Sequence, residues 1–369
     1  MRVLIAAGGT GGHLYPALAL SSHLKRQNLV DQVLWIGGRS GLESRLVPSH
    51  GFELKKIAIR RLPRVLSWRW VEFGYGLVIS FIQSLFIFLR YRPHMVIGMG
   101  SFHSFPIVML AFFSGIPSLI CEQNLRLSLT NRFLCRWASR IAISFPQTKK
   151  YLPLNVRDKA RLVGNPIRPE ILKVKKKEGI RKLGLEEGKF TLLFLGGSQG
   201  AHSINLFGME AIRGLEKEEV GRQIQAIFIT GEKDIKWVRS SLRSSKVKCL
   251  VFPYLSQVEY AYAASDLVIS RSGATTLAEI TARGLPAILI PYPYATSSHQ
   301  WENAKVLQEE NAAWIISEKD LSGDRLKERI LDLMKDKETL RKMGERSRNL
   351  GRPHATKKVA EIIQELVNR

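Results

Sequence analysis

The chain has 369 residues, enough for two domains of ordinary size that each bury a core. Its hydrophobic fraction of 45% and charged fraction of 24% are typical of a globular protein and exclude a disordered one. The 56 Lys and Arg residues outnumber the 32 Asp and Glu residues, which gives a net charge of +24. Such a charge attracts nucleic acid, anionic membrane surfaces or polyanionic substrates, and by itself it does not choose among them.

The cysteines and the amino terminus indicate in which cellular compartment the protein resides. The three cysteines, Cys121, Cys135 and Cys249, form no C-x-x-C pair, and each lies near an apolar segment. This usage predicts buried thiols in a reducing compartment. Arg2 leads directly into the first apolar run, without a basic region, apolar core and cleavage site, so we expect no secretory signal.

A glycine-rich loop, Gly8-Gly9-Thr10-Gly11-Gly12, separates the apolar run Val3-Leu4-Ile5 from apolar residues at helical spacing between 14 and 25. The pattern indicates a strand, a loop and a helix. Glycines let the backbone approach a ligand, and the N–H groups at a helix start favour a phosphate or diphosphate. A tight turn without a ligand is the alternative.

His13 stands at the mouth of this loop, beside the predicted phosphate position. An imidazole there could accept a proton from a substrate hydroxyl. The competing interpretation is a capping or packing histidine.

Strand-like and helical patterns alternate through the first half. Strand candidates are residues 33–36, 95–97, 118–121 and 141–143, and the alternation predicts parallel strands joined by crossover helices. Glycine and two prolines interrupt both patterns at residues 162–169, so we place a first domain at 1–163.

Residues 71–89 form an apolar segment that fits a soluble domain poorly. The run barely reaches the length of a membrane-spanning helix and includes Glu72 near one end. Arginine residues flank this segment on both sides, and Trp68 and Trp70 are residues of the type found at the headgroup interface of a membrane. A spanning helix, a helix lying in the membrane surface and a buried core helix are all open, and surface contact is favoured.

The strand–loop–helix pattern restarts in the second half. Residues 190–195 lead into Gly196-Gly197-Ser198-Gln199-Gly200, and further strand candidates follow at 226–229, 250–252, 267–269 and 287–290. The predicted fold class is α/β, with two doubly wound Rossmann-like domains whose ligand sites face each other across a cleft. The second domain is placed at 164–350, and a helix within 351–369 is expected to pack back on the first domain.

Four further segments follow predicted strands or open predicted helices, and could reach the cleft. Gly98-Met99-Gly100-Ser101 would add N–H donors next to the first loop, and Glu122-Gln123-Asn124 an acid and two amides. Residues 271–279 could hold a diphosphate, with Glu279 accepting hydrogen bonds from a ribose diol. His299-Gln300 could reach sugar hydroxyls, while each segment by itself also fits a purely structural role.

These motifs, with Gly164-Asn165-Pro166-Ile167-Arg168 and Arg271-Ser272-Gly273-Ala274-Thr275, together resemble the MurG family of peptidoglycan N-acetylglucosaminyltransferases. The resemblance covers both halves in order. It implies a GT-B fold and an enzyme that transfers N-acetylglucosamine from UDP-N-acetylglucosamine to lipid I, giving lipid II at the cytoplasmic face of the cell membrane. Implied partners are these two substrates, an anionic membrane surface contacted peripherally, and cell-wall synthesis proteins.

The resemblance also implies site residues. The acceptor diphosphate would meet Gly8, Gly9, Gly98, Gly100 and Ser101. The donor site would be lined by Thr10, Gly11, Gly12, Asn124, Arg168, Ser198, Leu255, Ala274, Thr275, Thr276, Leu277, Glu279 and Gln300. The chain departs from the family pattern at Ser101-Phe102-His103-Ser104-Phe105-Pro106, which makes Phe105 a candidate lipid contact.

A direct displacement that inverts the donor linkage needs a base and stabilisation of the leaving diphosphate. His13 is the candidate base and Glu122 the fallback, while helix amides after Gly197 and Ser272 would stabilise the departing charge. The chain lacks a D-x-D motif, so we expect neither a bound metal nor another cofactor.

Three rival functions follow from the same sequence. A UDP-sugar transferase of this fold with another lipid acceptor, such as diacylglycerol, is the nearest. A nucleic-acid-binding protein is suggested only by charge, and the dispersed basic residues disfavour it. A nicotinamide-dependent dehydrogenase would need the G-x-G-x-x-G spacing that the first loop lacks.

Overall fold

The computed structural model describes residues 1–39, 41–59, 68–197, 200–295 and 298–368. The chain divides into two compact units, one made of Met1–Arg168 with Pro353–Arg369 and the other of Pro169–Arg352. Each unit is built on a parallel sheet, of seven and six strands, with helices joining the strands. The prediction of two doubly wound α/β domains is therefore confirmed.

The first unit has the sheet order β3-β2-β1-β4-β5-β6-β7. Its strands are β1 (Arg2–Ala6), β2 (Gln32–Gly38), β3 (Glu53–Ile57), β4 (Met95–Gly98), β5 (Ser118–Glu122), β6 (Arg140–Ile143) and β7 (Ala160–Leu162). Its first helices are α1 (Gly11–Arg26), α2 (Glu43–Ser49), α3 (Arg69–Tyr91), α4 (Ser104–Phe113) and α5 (Leu129–Leu134). The order reverses between β1 and β4, which is where ligands of such sheets bind.

Side chains of β1 alternate between two cores, one on each face of this sheet. Val3 and Ile5 pack with α1, whereas Leu4 and Ala6 pack with the side that carries α4. This alternation is the period of two that buries both faces of a central parallel strand.

Helix α3 lies on the surface with one face exposed. Ser80, Ser84 and Phe88 are buried, and the Gln83 Oε1 accepts a hydrogen bond from the Ala58 N–H at 2.8 Å. The stretch Trp70–Tyr91 is long and apolar enough to cross a membrane by length and composition. Its opposite face is exposed and apolar, comprising Val71, Tyr75, Val78, Ile82, Leu85, Phe86 and Leu89. The structure thus excludes the buried core helix considered from the sequence.

The second unit has the sheet order β10-β9-β8-β11-β12-β13. Its strands are β8 (Phe190–Leu195), β9 (Ile224–Ile229), β10 (Lys248–Phe252), β11 (Leu267–Ser270), β12 (Ala287–Leu289) and β13 (Ala313–Ile315). The helices are α6 (Glu170–Lys173), α7 (Lys176–Leu183), α8 (His202–Leu215), α9 (Ile235–Ser241), α10 (Val258–Ala264), α11 (Ala274–Arg283), α12 (His299–Glu309), α13 (Gly323–Lys335) and α14 (Lys337–Leu350). The order reverses between β8 and β11.

The last helix, α15 (Ala355–Val367), belongs to the first unit. Val359, Ile362 and Ile363 join the core that contains Leu14 and Leu18 of α1. The Thr356 hydroxyl also donates to the Ile167 carbonyl at 3.2 Å, which ties the start of α15 to the segment that leaves the unit.

Candidate active site

In the first unit, two loops are joined at the point where the strand order reverses. The Ala6 carbonyl accepts hydrogen bonds from the Met99 N–H at 3.0 Å and from the Ser104 hydroxyl at 3.1 Å. The start of α4 packs tightly on Gly98, where a Cβ would stand 3.0 Å from the Ser104 Cβ and 3.1 Å from the Val108 Cγ2. The loops after β1 and β4 are therefore neighbours, as the sequence predicted.

Gly8 lies against two polar side chains that the sequence did not single out. A Cβ at Gly8 would stand 2.8 Å from His103 Nδ1 and 2.9 Å from Glu43 Oε1. Gly9 has a φ of +90° in open space, so there it is the backbone conformation that requires glycine. The two glycines thus serve different physical purposes.

Glu43 is a buried residue that holds the glycine loop through hydrogen bonds to its backbone. Its side chain is 1% exposed, and its carboxylate accepts from the Gly38 N–H at 3.1 Å and the Gly9 N–H at 3.3 Å. The only sequence signal for this role is an acidic residue in the first turn of a helix that follows glycines.

His103 is the second residue that sequence reasoning missed as a site residue. Burial lowers the pKa of its imidazole to about 4, and the nearby His13 adds to this effect against the opposing field of Glu43. Its Nδ1 lies 3.3 Å from the Ser101 Oγ. At neutral pH the loop after β4 therefore carries a neutral histidine.

Helix α1 begins at Gly11, earlier than the apolar spacing suggested. Thr10 is the residue before the helix, and its carbonyl accepts from the His13 N–H at 3.2 Å. Thr10, Gly11, Gly12 and His13 are thereby brought to the positive end of the helix dipole, beside the Gly8 and Gly9 backbone. The half-buried His13 ring places Nδ1 3.2 Å from Gln123 Oε1.

Glu122 is part of a buried framework of hydrogen-bonded side chains. It is 1% exposed, and both carboxylate oxygens are occupied. Burial raises its pKa, against the lowering effect of its hydrogen bonds. The four donors are the Asn124 N–H at 3.1 Å, the Asn124 Nδ2 at 3.3 Å, the Ser128 N–H at 2.8 Å and the Asn131 Nδ2 at 2.9 Å. This burial and the four hydrogen bonds count against the fallback prediction of Glu122 as the base, which therefore stays second to His13.

Gly100 connects this framework to the loop after β4. Its φ is +83°, and its carbonyl accepts from the Ser128 hydroxyl at 3.0 Å. Ser101, the next residue, is nearly buried. Phe105 is partly buried and packs between the rings of Phe81 and Phe133, at centroid distances of 5.7 and 5.2 Å, and its predicted contact with lipid stays a prediction.

Arg168 is the last residue of the amino-terminal segment of the first unit. Its guanidinium carbon lies 5.8 Å from the centre of the Tyr15 ring, in a cation–π arrangement beside α1. Of the residues implied for the donor, Thr10, Gly11, Gly12, Asn124 and Arg168 thus belong to this unit.

The second unit repeats the glycine loop after β8. Gly197 and Gly200 have φ values of +85° and +77°, and a Cβ at Gly200 would stand 2.8 Å from the Thr230 carbonyl carbon. Helix α8 starts immediately after this loop. Two further residues of the motif, Ser198 and Gln199, lie outside the described residues.

Arg271 anchors the end of β11. It forms an ion pair with Glu318 through both terminal nitrogens, and Nη2 also donates to the Ser203 hydroxyl at 3.1 Å. Burial acts to raise the pKa of Glu318, but the hydrogen bonds from Arg271 and Ser203 outweigh it and lower the pKa. This pair supports the segment that opens α11.

The predicted donor-site residues of helix α11 differ in their exposure to solvent. Thr275 and Thr276 are partly exposed at its start, whereas Ala274 is 8% and Leu277 1% exposed. The Leu277 N–H donates to the Gly273 carbonyl at 3.0 Å, and its carbonyl accepts from the Thr281 hydroxyl at 2.8 Å. Glu279 is 8% exposed, and its Oε2 accepts from the buried Tyr262 hydroxyl at 3.0 Å.

Gln300 starts α12 together with His299, as predicted. Its backbone carbonyl accepts from the Ser272 hydroxyl at 2.7 Å, and its Oε1 accepts from the Tyr292 N–H at 3.0 Å. These bonds leave the amide NH₂ as the part that can donate to a ligand. Leu255 is partly exposed in the loop between β10 and α10.

Known proteins resemble the whole chain. Residues 3–143 match the glycosyltransferase family 28 N-terminal domain, and residues 191–366 match its C-terminal domain. A UDP-N-acetylglucosamine–N-acetylmuramyl-(pentapeptide) pyrophosphoryl-undecaprenol N-acetylglucosamine transferase from Halothermothrix orenii is 39% identical over 371 residues, covering 99% of each chain. The enzyme of that name from Bacillus licheniformis is 38% identical over 368 residues, covering 99% of each chain.

A solved structure shows the same architecture. The crystal structure of Acinetobacter baumannii MurG is similar with a TM-score of 0.77 and 26% identity, covering 99% of each chain. Together with the two parallel sheets, this similarity confirms the predicted GT-B class. The chain belongs to glycosyltransferase family 28, among the MurG-type N-acetylglucosamine transferases.

Proposed function

We propose that this protein transfers N-acetylglucosamine from UDP-N-acetylglucosamine to the 4-hydroxyl of N-acetylmuramyl-pentapeptide-pyrophosphoryl-undecaprenol, known as lipid I, giving lipid II. Family membership supports the donor and the acceptor class. The single structural observation that carries the chemistry is a half-buried His13 in the first turn of α1, held by Gln123 beside two glycine loops.

In the proposed reaction the acceptor 4-hydroxyl oxygen attacks the anomeric carbon of the donor. A new glycosidic C–O bond forms, the C–O bond to the UDP diphosphate breaks with inversion, and the hydroxyl proton passes to His13. Gly8, Gly9, Gly98, Gly100 and Ser101 would face the acceptor diphosphate, because backbone N–H groups and a helix dipole meet where the loops after β1 and β4 adjoin.

The second unit supplies the donor site in this proposal. Helices α8 and α11 both begin at the switch between β8 and β11, so their N–H groups can stabilise negative charge on the leaving diphosphate. Glu279 would accept hydrogen bonds from the ribose, and the Gln300 amide would donate to the sugar. The remaining contacts are proposed for Ser198, Leu255, Ala274, Thr275, Thr276 and Leu277, together with Thr10, Gly11, Gly12, Asn124 and Arg168 of the first unit.

We further propose that α3 attaches the protein peripherally to the cytoplasmic face of the membrane. Phe86 is 70% exposed and Val71 76% exposed, while the opposite face of α3 packs on protein. The exposed cations Arg90 and Arg92 follow the apolar face, as expected for contact with anionic headgroups. A helix with one packed face and one apolar exposed face suits the membrane surface better than a spanning position.

The test is a transfer assay with labelled UDP-N-acetylglucosamine and either lipid I or diacylglycerol as the acceptor. We expect label in lipid II and none in glycolipid, whereas preferential transfer to diacylglycerol would refute the proposed acceptor. His13→Ala should reduce turnover at least a hundredfold with UDP binding unchanged. Near-normal turnover of this variant would remove His13 as the base.

A further inference from the structure

Gln123 makes two hydrogen bonds that together determine how its amide is oriented. Its Oε1 lies 3.2 Å from His13 Nδ1, and its Nε2 donates to the Cys121 carbonyl at 3.3 Å. The side chain is 2% exposed. The reversed amide would place Oε1 against the Cys121 carbonyl, two acceptors facing each other, so only the first orientation satisfies both neighbours.

This orientation fixes where the proton of a neutral His13 resides. An amide oxygen can only accept a hydrogen bond, so Nδ1 must carry the proton and Nε2 must carry the lone pair. We infer that Gln123 is a positioning residue for the transfer reaction, which holds His13 in the Nδ1–H tautomer so that Nε2 is the nitrogen that receives the acceptor proton. This inference rests on the proposed role of His13.

The framework around Glu122 keeps Gln123 in place. The Cys121 carbonyl that accepts from Gln123 also accepts from Asn131 Nδ2 at 2.9 Å, and Asn131 in turn donates to Glu122. Asn131 is fully buried. The turn after β5 therefore presents the Gln123 oxygen from a set of side chains whose hydrogen bonds restrict their rotation.

A neutral amide at this position differs from the carboxylate that orients many catalytic histidines. A carboxylate would stabilise the imidazolium and raise the pKa of the histidine, whereas an amide selects the tautomer with a smaller effect on that pKa. Gln123 thus orients His13 without placing a negative charge beside its ring.

The direct test is the tautomer of His13, read from ¹⁵N chemical shifts of histidine-labelled protein and assigned with His13→Gln. We expect the Nδ1–H form in the unmodified chain and in Gln123→Glu, which keeps the acceptor. In Gln123→Met, which cannot accept a hydrogen bond, we expect the Nε2–H form that free histidine prefers. Retention of the Nδ1–H form in Gln123→Met would overturn the inference.

Turnover provides the second readout. Gln123→Met should lower kcat at least tenfold with KM for UDP-N-acetylglucosamine unchanged, while Gln27→Met, at an exposed glutamine, should change neither. Gln123→Glu should recover turnover with the acidic limb of its pH profile moved upward by about one unit. Unchanged kcat in Gln123→Met, with a changed tautomer, would also overturn the positioning role. Failure of the proposed base role of His13 would instead show as normal transfer by His13→Gln, and failure of the proposed function as no transfer to lipid I by the unmodified chain.

Discussion

The imidazole of His103 lies directly against the backbone of Gly8, with ring atoms Nδ1 and Cε1 each 2.8 Å from where a Cβ would be. One residue comes from the loop after β4 and the other from the loop after β1. Their contact sets how closely the two proposed diphosphate-binding loops approach each other.

We predict that Gly8→Ala disrupts this approach. The added methyl group would displace His103 or the Glu43 carboxylate, a steric cost of about 1–3 kcal/mol, and should lower the rate of transfer to lipid I at least tenfold. The control is Gly74→Ala, at a helical glycine with nothing within 4 Å of the added carbon. Equal activity of the two variants in the transfer assay would contradict the prediction.

His103 should make folding stability depend on pH. Because burial lowers its folded-state pKa to about 4, the unfolded chain takes up a proton near pH 6.5 that the folded chain takes up only at lower pH. Stability is therefore fully present above pH 6.5 and falls as the pH decreases toward 4. Between pH 7 and pH 5 we expect the unmodified chain to lose about 1–2 kcal/mol more than His103→Gln.

Urea unfolding at the two pH values measures this difference. His50→Gln, at an exposed histidine, is the matched control and should keep the pH dependence of the unmodified chain. Identical pH dependence in His103→Gln and the unmodified chain would contradict the assignment.

The sequence predicted the central strands but not all the edge strands. β1 and β8 are continuous apolar runs followed by glycines, a pattern that only a buried parallel strand with a glycine loop explains. β3 reads Glu-Leu-Lys-Lys-Ile, and an edge strand with one solvent-facing side gives no such run. β7 and β13 have three residues each, too few for a periodic pattern.

The Arg271–Glu318 pair should stabilise the second unit. Arg271→Met leaves Glu318, whose side chain is 28% exposed, without its cation and should cost about 2–4 kcal/mol in the free energy of unfolding. Arg271→Met combined with Glu318→Leu should recover part of that loss, because no charge then lacks its partner. Thermal unfolding of the three proteins tests both statements, and a double variant less stable than Arg271→Met would oppose them.

The exposed face of α3 should govern vesicle binding without affecting stability. Phe86→Ser with Leu89→Ser removes two side chains that are 70% and 60% exposed, each contributing about 1–2 kcal/mol if it enters lipid. We expect binding to phosphatidylglycerol vesicles to fall at least tenfold, with the unfolding midpoint unchanged. Trp237→Ser, on α9, is the control and should retain binding. Full vesicle binding by the α3 variant would contradict the prediction.

The candidate site was only partly predictable for a physical reason. The glycine loops and His13 could be predicted as site residues because the pattern that indicates them, a strand, a glycine loop and a helix start, lies in consecutive residues. Glu43 and His103 act through contacts with Gly8 that only the fold creates, and the acidic first turn of α2 is too common a pattern to indicate such a contact. Glu122 was visible as an acid, but its burial beneath Asn124, Ser128 and Asn131 depends on how the turn after β5 closes.

The return of α15 to the first unit has a consequence for synthesis on the ribosome. The apolar side of α1, with Leu14 and Leu18, is completed by Val359 and Ile363. The amino-terminal unit therefore remains unfinished while the whole of Pro169–Arg352 is made, and that intervening unit can fold first. Helix α1 is made more than three hundred codons before its packing partner α15. A nascent chain halted before α15 would therefore expose the apolar side of α1 to chaperones.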